Sequence, residues 1–157
     1  MKIRRATEKD LKEIVNQYLE YQKEEGKLAD IDVGRWKLKK KIISRYIKKY
    51  ILKQDKILLV LIEKDEIVGF LLGGFTKNNN YTTENYGTID EIYVAPKMRG
   101  KGFSSKLKDE FVKWFKEKKK GKGIVTLYVM PKNNVARKAY KKWGFKISDL
   151  KLVKEFI

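Results

Sequence analysis

The chain has 157 residues, carries 38 Lys and Arg against 20 Asp and Glu for a formal charge of +18, and contains no Cys and no His. The length suits one domain with a sizeable core, expected over residues 1–157, while the missing residue types exclude disulfides, thiolate zinc sites and a cysteine nucleophile, leaving Asp, Glu, Tyr, Lys or water as acid and base. The charge favours anions (nucleic acid, phosphorylated cofactors, acidic proteins or anionic lipid), no stretch reaches the ~20 apolar residues of a membrane span, and MKIRRATEKD lacks the apolar core of a leader, so a cytoplasmic location is expected.

Lys2 to Arg5 reads as a short first strand. Thr7 followed by Asp10 resembles a capping box, and the helix it opens carries Leu11, Ile14, Val15, Tyr18 and Leu19 on one face, running to about Glu25 with Gly26 as its stop. A second helix is expected from about Val33 to Leu52, with Trp36, Ile42, Ile43, Tyr46, Ile47 and Tyr50 as its apolar stripe. From Arg35 to Lys53 there are nine Lys or Arg and no acid. That face is either solvated opposite the core or a surface for an anionic partner. KILLVLIEKD and EIVGFLLGGF flank a turn around Lys64 to Glu66 and predict an antiparallel hairpin, in which Gly69, Gly73 and Gly74 mark a bulge or a close backbone approach. TKNNNYTTENYG predicts a loop.

GTIDEIYVAP then predicts a strand, Ser104 to about Lys119 a helix, and GIVTLYVMP another strand. NNVARKAYKKW predicts a short helix stopped by Gly144, and the tail GFKISDLKLVKEFI has room for two short strands. The helix between Ile89 and Leu127 is too long for a hairpin link, so those strands run parallel. The pattern is mixed α/β.

VAPKMRGKGFSSKL joins strand to helix through Gly100 and Gly102. The first N–H groups of a helix lack partners within it, and the dipole adds partial positive charge. Two glycines open the backbone to a ligand, and Arg99, Lys101 and Lys106 add full charges. The join is either a plain turn or a cradle for phosphate.

V-x-P-x-x-R-G-x-G-x-S resembles the acetyl-CoA signature of the GNAT acyltransferase superfamily, with Arg99, Gly102 and Ser104 in register and Ser104 in place of the usual Gly or Ala. NNVARKAYKKWGF is similar to the later element of that family, with Asn133, Ala136, Tyr140 and Gly144–Phe145 in register. The resemblance implies an α/β fold with a mixed, mostly antiparallel central sheet flanked by helices and a splayed parallel strand pair. The order of elements from Lys2 to Ile157 fits the family's β-α-α-β-β-β-α-β-α-β plan.

It also implies an N-acetyltransferase with acetyl-CoA as cosubstrate and no metal. By similarity, the backbone of Ile92, Tyr93 and Val94 holds the acetyl and pantetheine end, with a Val94 N–H on the thioester carbonyl. The turn of Arg99, Gly100, Lys101, Gly102, Phe103, Ser104 and Ser105 takes the pyrophosphate, and Asn133 the pantetheine arm, either instead of or together with capping its own helix. Tyr140 occupies the position of the acid that protonates the leaving thiolate. Asp90 and Glu91 are the candidate bases. Strand alternation places them on opposite faces, so one faces the cleft, and Asp90 matches the carboxylate position of some relatives. Alternatively, one pairs with a lysine and the other closes the sheet edge.

The acceptor is an amine on a protein or a small molecule. A strongly cationic enzyme matches polyamines or aminoglycosides poorly unless its cleft is locally acidic, which Glu84, Asp90 and Glu91 leave open. The charge admits a ribosome or RNA as partner, and the competing reading is a basic RNA- or ribosome-binding module on this fold. No membrane association is expected, and relatives of this kind leave room for a homodimer.

Overall fold

In the computed structural model, which describes residues 1–29, 37–77, 85–154 and 156, five strands lie in the order of the chain. They are β1 (Lys2–Arg5), β2 (Lys56–Glu63), β3 (Glu66–Lys77), β4 (Asn85–Val94) and β5 (Gly123–Leu127). The first four pair antiparallel and β5 joins β4 in parallel. The helices are α1 (Leu11–Gly26), α2 (Lys40–Leu52), α3 (Phe103–Lys118) and α4 (Asn134–Lys142).

The local signals act where they stand. Lys64 and Asp65, with φ of 48° and 64°, form the two-residue turn of the β2–β3 hairpin, a left-handed pair whose twist matches that of the strands. At the start of α1 the Thr7 N–H donates to Asp10 Oδ2 at 2.7 Å, and Arg4 donates to both carboxylate oxygens at 2.7 and 2.8 Å. These bonds, the one from Arg4 first, hold the Asp10 carboxyl well below the usual carboxylate range. A depressed folded pKa contributes stability above the unfolded value near ~3.9 and loses it as pH falls toward the folded one. Asp10→Asn therefore costs about 1–2 kcal/mol at pH 7, after discounting for the half-exposed Arg4. In urea titrations at a series of pH values the gap to the native chain narrows below about pH 4.

Phe70 and Gly73 point to opposite faces of β3. On one face Phe70 stacks on Tyr18 of α1 at 5.9 Å between ring centroids, and Tyr46 of α2 meets Tyr18 at 6.0 Å. On the other, α3 lies so close that a Cβ at Gly73 would sit 2.4 Å from the Phe111 ring. Ile14, Ile43, Phe70, Leu107 and Phe111 are fully buried between these layers. Among the described residues no helix is long and apolar enough to cross a membrane.

Four expectations change. α2 begins at Lys40 within the described residues, later than expected (Arg35 and Trp36 lie outside them). The Gln22 side chain takes both backbone groups of Leu38, accepting its N–H at 3.0 Å and donating to its carbonyl at 3.3 Å, in competition with helical bonds. Ile42 is 49% exposed, not core; it lies with exposed Lys41, Arg45 and Lys49 on the side away from Ile43 and Ile47. The tail forms no strand over residues 145–154, and Leu150 and Leu152 are exposed. Phe145 and Ile147 alternate at a spacing of two, as do Leu150 and Leu152, but the two pairs fall on opposite parities and each spans only three residues, too short to bury a strand face. Of the loop expected at 76–87, Thr76, Lys77, Asn85, Tyr86 and Gly87 are paired strand, and 78–84 lie outside the described residues.

Candidate active site

β4 and β5 pair from Asn85↔Gly123 to Ile89↔Leu127 and no further. β4 runs on to Val94 while the chain after Leu127 leaves the sheet. A strand pair that parts in mid-sheet exposes the main chain of its longer member, and here a cleft of about 80 Å³ opens at that point. Ile89 to Ile92 form one wall, Leu127 to Val129 another, and Asn133, Ala136 and Tyr140 of the α4 region a third, with Tyr21 and Glu25 of α1 closing it.

The two carboxylates do not follow simple alternation. Leu72 of β3 faces Glu91, and the next residue, Gly73, faces Ile89, which leaves Asp90 as the extra residue of a bulge. The inserted residue cancels one step of the alternation. Asp90 and Glu91 accordingly both turn toward the α1/α2 layer: the Tyr50 hydroxyl of α2 donates to Asp90 Oδ2 at 2.8 Å, and the Tyr18 hydroxyl of α1 donates to Glu91 Oε1 at 3.2 Å. The Tyr21 hydroxyl donates to the other oxygen of Glu91. The expectation of opposite faces is thus corrected, and both residues line the cleft. They differ in depth, since Glu91 is buried and Asp90 half-buried. Burial, reinforced by the Glu91 charge, pushes the Tyr21 hydroxyl pKa up; burial also raises that of Tyr50, with Tyr46 and Asp90 adding to it. Both therefore stay neutral donors.

Asn133 caps α4 by accepting the Ala136 N–H on Oδ1 at 3.1 Å, and its Nδ2 donates to Glu25 Oε1 at 3.1 Å. One turn and more into α4, Tyr140 packs against Trp143 at 5.3 Å and still reaches the cleft. Its pKa is pushed up to about 12, by burial first and then by the charges of Glu25 and Glu91.

The glycine turn lies outside the cleft lining, past the end of β4. Gly100 and Gly102 both have φ of 76°, and a Cβ on either would meet nothing within 4 Å. Backbone is therefore bare at the N-terminus of α3, where Phe103, Ser104 and Ser105 make the first turn. Lys101 is exposed, while Arg99 is engaged: its Nε donates to the Val94 carbonyl at 2.8 Å and its guanidinium pairs with Glu24. Tyr93 is turned away from the cleft into the aromatic cluster with Phe70, at 5.6 Å.

Of the residues singled out in the sequence, Asp90, Glu91, Asn133 and Tyr140 line the cleft; Tyr21 and Glu25, not singled out, line it too, and Tyr18 and Tyr50 bond its carboxylates. Tyr18 and Tyr50 read as core, which they are, and Tyr21 stood outside the expected stripe; the available signal was that a buried tyrosine hydroxyl needs a partner, and a strand otherwise rich in apolar residues offered two carboxylates. Glu84 lies outside the described residues.

A family model described as the acetyltransferase (GNAT) family matches residues 12–145. An uncharacterized N-acetyltransferase of Archaeoglobus fulgidus is 30% identical over 141 residues, covering 89% of this chain and 89% of that one. Another, from Methanocaldococcus jannaschii, is 28% identical over 149 residues, which are 94% of this chain and 62% of that protein, so the chain spans less than two thirds of its length. The crystal structure of a predicted acetyltransferase with acetyl-CoA from Clostridium acetobutylicum superposes with a TM-score of 0.77 at 24% identity, covering 98% of this chain and 95% of the other, a likeness of fold.

Proposed function

Since this chain belongs to the acetyltransferase (GNAT) family, we propose that it transfers the acetyl group of acetyl-CoA to a primary amine by direct attack on the thioester. The observation that carries this reading is the parting of β4 and β5 after Ile89↔Leu127, which sets Asp90 and Tyr140 in one cleft. The bare amides at Gly100 to Ser105 take the pyrophosphate, assisted by Lys101 and the helix dipole. Arg99 braces the turn through Val94 and Glu24. Ile92, Tyr93 and Val94 present main chain to the acetyl and pantetheine end, and a Val94 N–H polarises the thioester carbonyl. Asn133 keeps its cap and its bond to Glu25 and offers its second amide N–H to the pantetheine arm.

An alkylammonium titrates near ~10.4 and must lose a proton before it attacks. Asp90, half-buried and held by Tyr50, takes that proton directly or through water. The nitrogen lone pair adds to the carbonyl carbon, the C–S bond breaks, and the sulfur leaves with its electron pair. Tyr140 protonates the thiolate, whose thiol form titrates near ~8.5, and the proton that the nitrogen sheds on becoming an amide returns, directly or through water, to the Tyr140 oxygen. Glu91 holds its place between Tyr18 and Tyr21 and keeps the cleft electronegative.

Thiol release from acetyl-CoA across a panel of amines tests the activity, and no release with any amine removes it. For the cradle, Gly102→Val weakens CoA binding measured by calorimetry, while stability falls only by the cost of a left-handed side chain, ~1–2 kcal/mol. Unchanged CoA affinity would place the diphosphate elsewhere. The alternative, an RNA- or ribosome-binding module, would use the outer face of α2 with Lys41, Arg45, Lys48 and Lys49. A thermal shift with RNA that fades with salt, and none with CoA, would favour it.

A further inference from the structure

Beyond Ile89 the strand β4 keeps β3 as a neighbour and loses β5. At its end the Ala95 N–H donates to the Val68 carbonyl of β3 at 2.9 Å. A trans peptide points its carbonyl opposite to its N–H, so the Val94 carbonyl faces away from β3. In an extended strand the N–H and C=O of one residue point the same way, so the Val94 N–H faces away from β3 with it.

Arg99 reaches back to that side. Its Nε donates to the Val94 carbonyl at 2.8 Å, and its guanidinium carbon lies 5.7 Å from the centroid of the Tyr93 ring. Its Nη2 donates to Glu24, on the last turn of α1. The side chain therefore folds along β4 toward α1, while the bare amides of the turn open at the start of α3. The next residue of α1, Glu25, accepts Asn133 Nδ2 at 3.1 Å, so one helical turn touches both sides of the split. Arg99 and Glu24 are 46% and 37% exposed, and an ion pair so open to water adds little to stability. It does select one direction for a long side chain and, through Nε, fixes one peptide carbonyl.

Resting on the transferase reading above, we propose that Glu24 and Arg99 are positioning residues for acetyl transfer: Glu24 fixes the guanidinium, and the guanidinium fixes the Val94 main chain whose N–H meets the thioester oxygen. The Arg99 side chain thus acts at the acyl end of the cofactor and leaves the diphosphate to the turn amides and Lys101. A hydrogen bond to that oxygen strengthens as charge develops on it, so a misdirected Val94 lowers turnover more than binding.

The test joins kinetics to calorimetry. Glu24→Gln keeps an oxygen and removes the charge; it lowers kcat about tenfold, with CoA affinity changed by less than about threefold and the melting temperature nearly unchanged. Arg99→Lys keeps the charge, loses the planar fork and gives the same loss. The double variant is no worse than either single one, because both substitutions break one chain of contacts. A guanidinium that bound the diphosphate would behave otherwise: Glu24→Gln would release it and tighten CoA binding, and Arg99→Lys would act in the opposite direction. Tighter CoA binding in Glu24→Gln, losses that add in the double variant, or a lowered melting temperature with kcat preserved overturns the proposal. The native chain separates the two levels. If it binds no CoA, or releases no thiol with any amine, the transferase reading falls and this role with it; if it turns over and both variants match it, this role alone falls.

Discussion

Tyr140→Phe lowers kcat by about 10²-fold or more while leaving CoA affinity nearly unchanged, as removal of a positioned general acid requires. The hydroxyl is the part of the side chain removed; the ring keeps its packing on Trp143 and Phe145. A purely structural tyrosine would give the opposite pattern, a shift in melting temperature with kcat preserved. The pKa of about 12 sharpens the test. Burial and the carboxylates Glu25 and Glu91 keep the proton on the oxygen, so the acid stays loaded through the neutral and alkaline range, and the native enzyme shows no loss of rate from this group below about pH 11. The defect of the variant depends on the leaving group. A thioester whose thiol is more acidic leaves without help, so it narrows the gap between Tyr140→Phe and the native chain. A defect of equal size with every thioester, or no defect at any pH, removes Tyr140 from the reaction.

The sequence makes legible those features that depend on short-range chemistry. Thr7 and Asp10 declare the start of α1, Lys64–Asp65 the hairpin, and Gly100 and Gly102 the bare turn, because capping, turn formation and left-handed backbone are decided within a few residues. What it hides is register. One unpaired residue opposite the Leu72–Gly73 step turns Asp90 onto the face of Glu91, and no local pattern in GTIDEIYVAP distinguishes a bulged strand from a regular one. Gly73 carried a partial sign of it: a strand glycine marks a bulge or a close approach, and here the bulge lies across from it and Phe111 lies above it. The tyrosines were hidden for another reason. The helical stripes say that Tyr18 and Tyr50 go inward, but which acceptor their hydroxyls meet depends on β4, some 40 to 73 residues away in the chain. The acidic lining of the cleft is invisible to composition; the adjacent Asp90 and Glu91 hint at it in the sequence, and Glu25, from a distant segment, joins them only in the fold.

Because the bulge brings Asp90 and Glu91 to the same cleft, position alone does not separate them as the proposed base, and it is their partners that favour Asp90. Glu91 is 3% exposed and receives hydroxyls from Tyr18 and Tyr21. To take a proton from the cleft, a carboxylate so held would have to give up one of those bonds inside the core. Asp90 has one recorded bond, from Tyr50, and is half-buried, so it retains lone pairs for an incoming ammonium or a water. Asp90→Asn is therefore expected to lower kcat/KM by about 10²-fold or more at pH 7 with little change in stability. The deficit shrinks as pH rises toward the ~10.4 of the free amine, because solvent then does the deprotonation. Glu91→Gln shows the reverse balance. Its new amide N–H groups face tyrosine hydroxyls that had been donating, so the fold loses about 1–3 kcal/mol, and kcat/KM falls less than in Asp90→Asn with no recovery at high pH. Urea titrations give the stability and pH–rate profiles the chemistry. If instead the recovery at high pH belongs to Glu91→Gln, and Asp90→Asn merely unfolds sooner, the two roles are exchanged and the base sits in the tyrosine clamp.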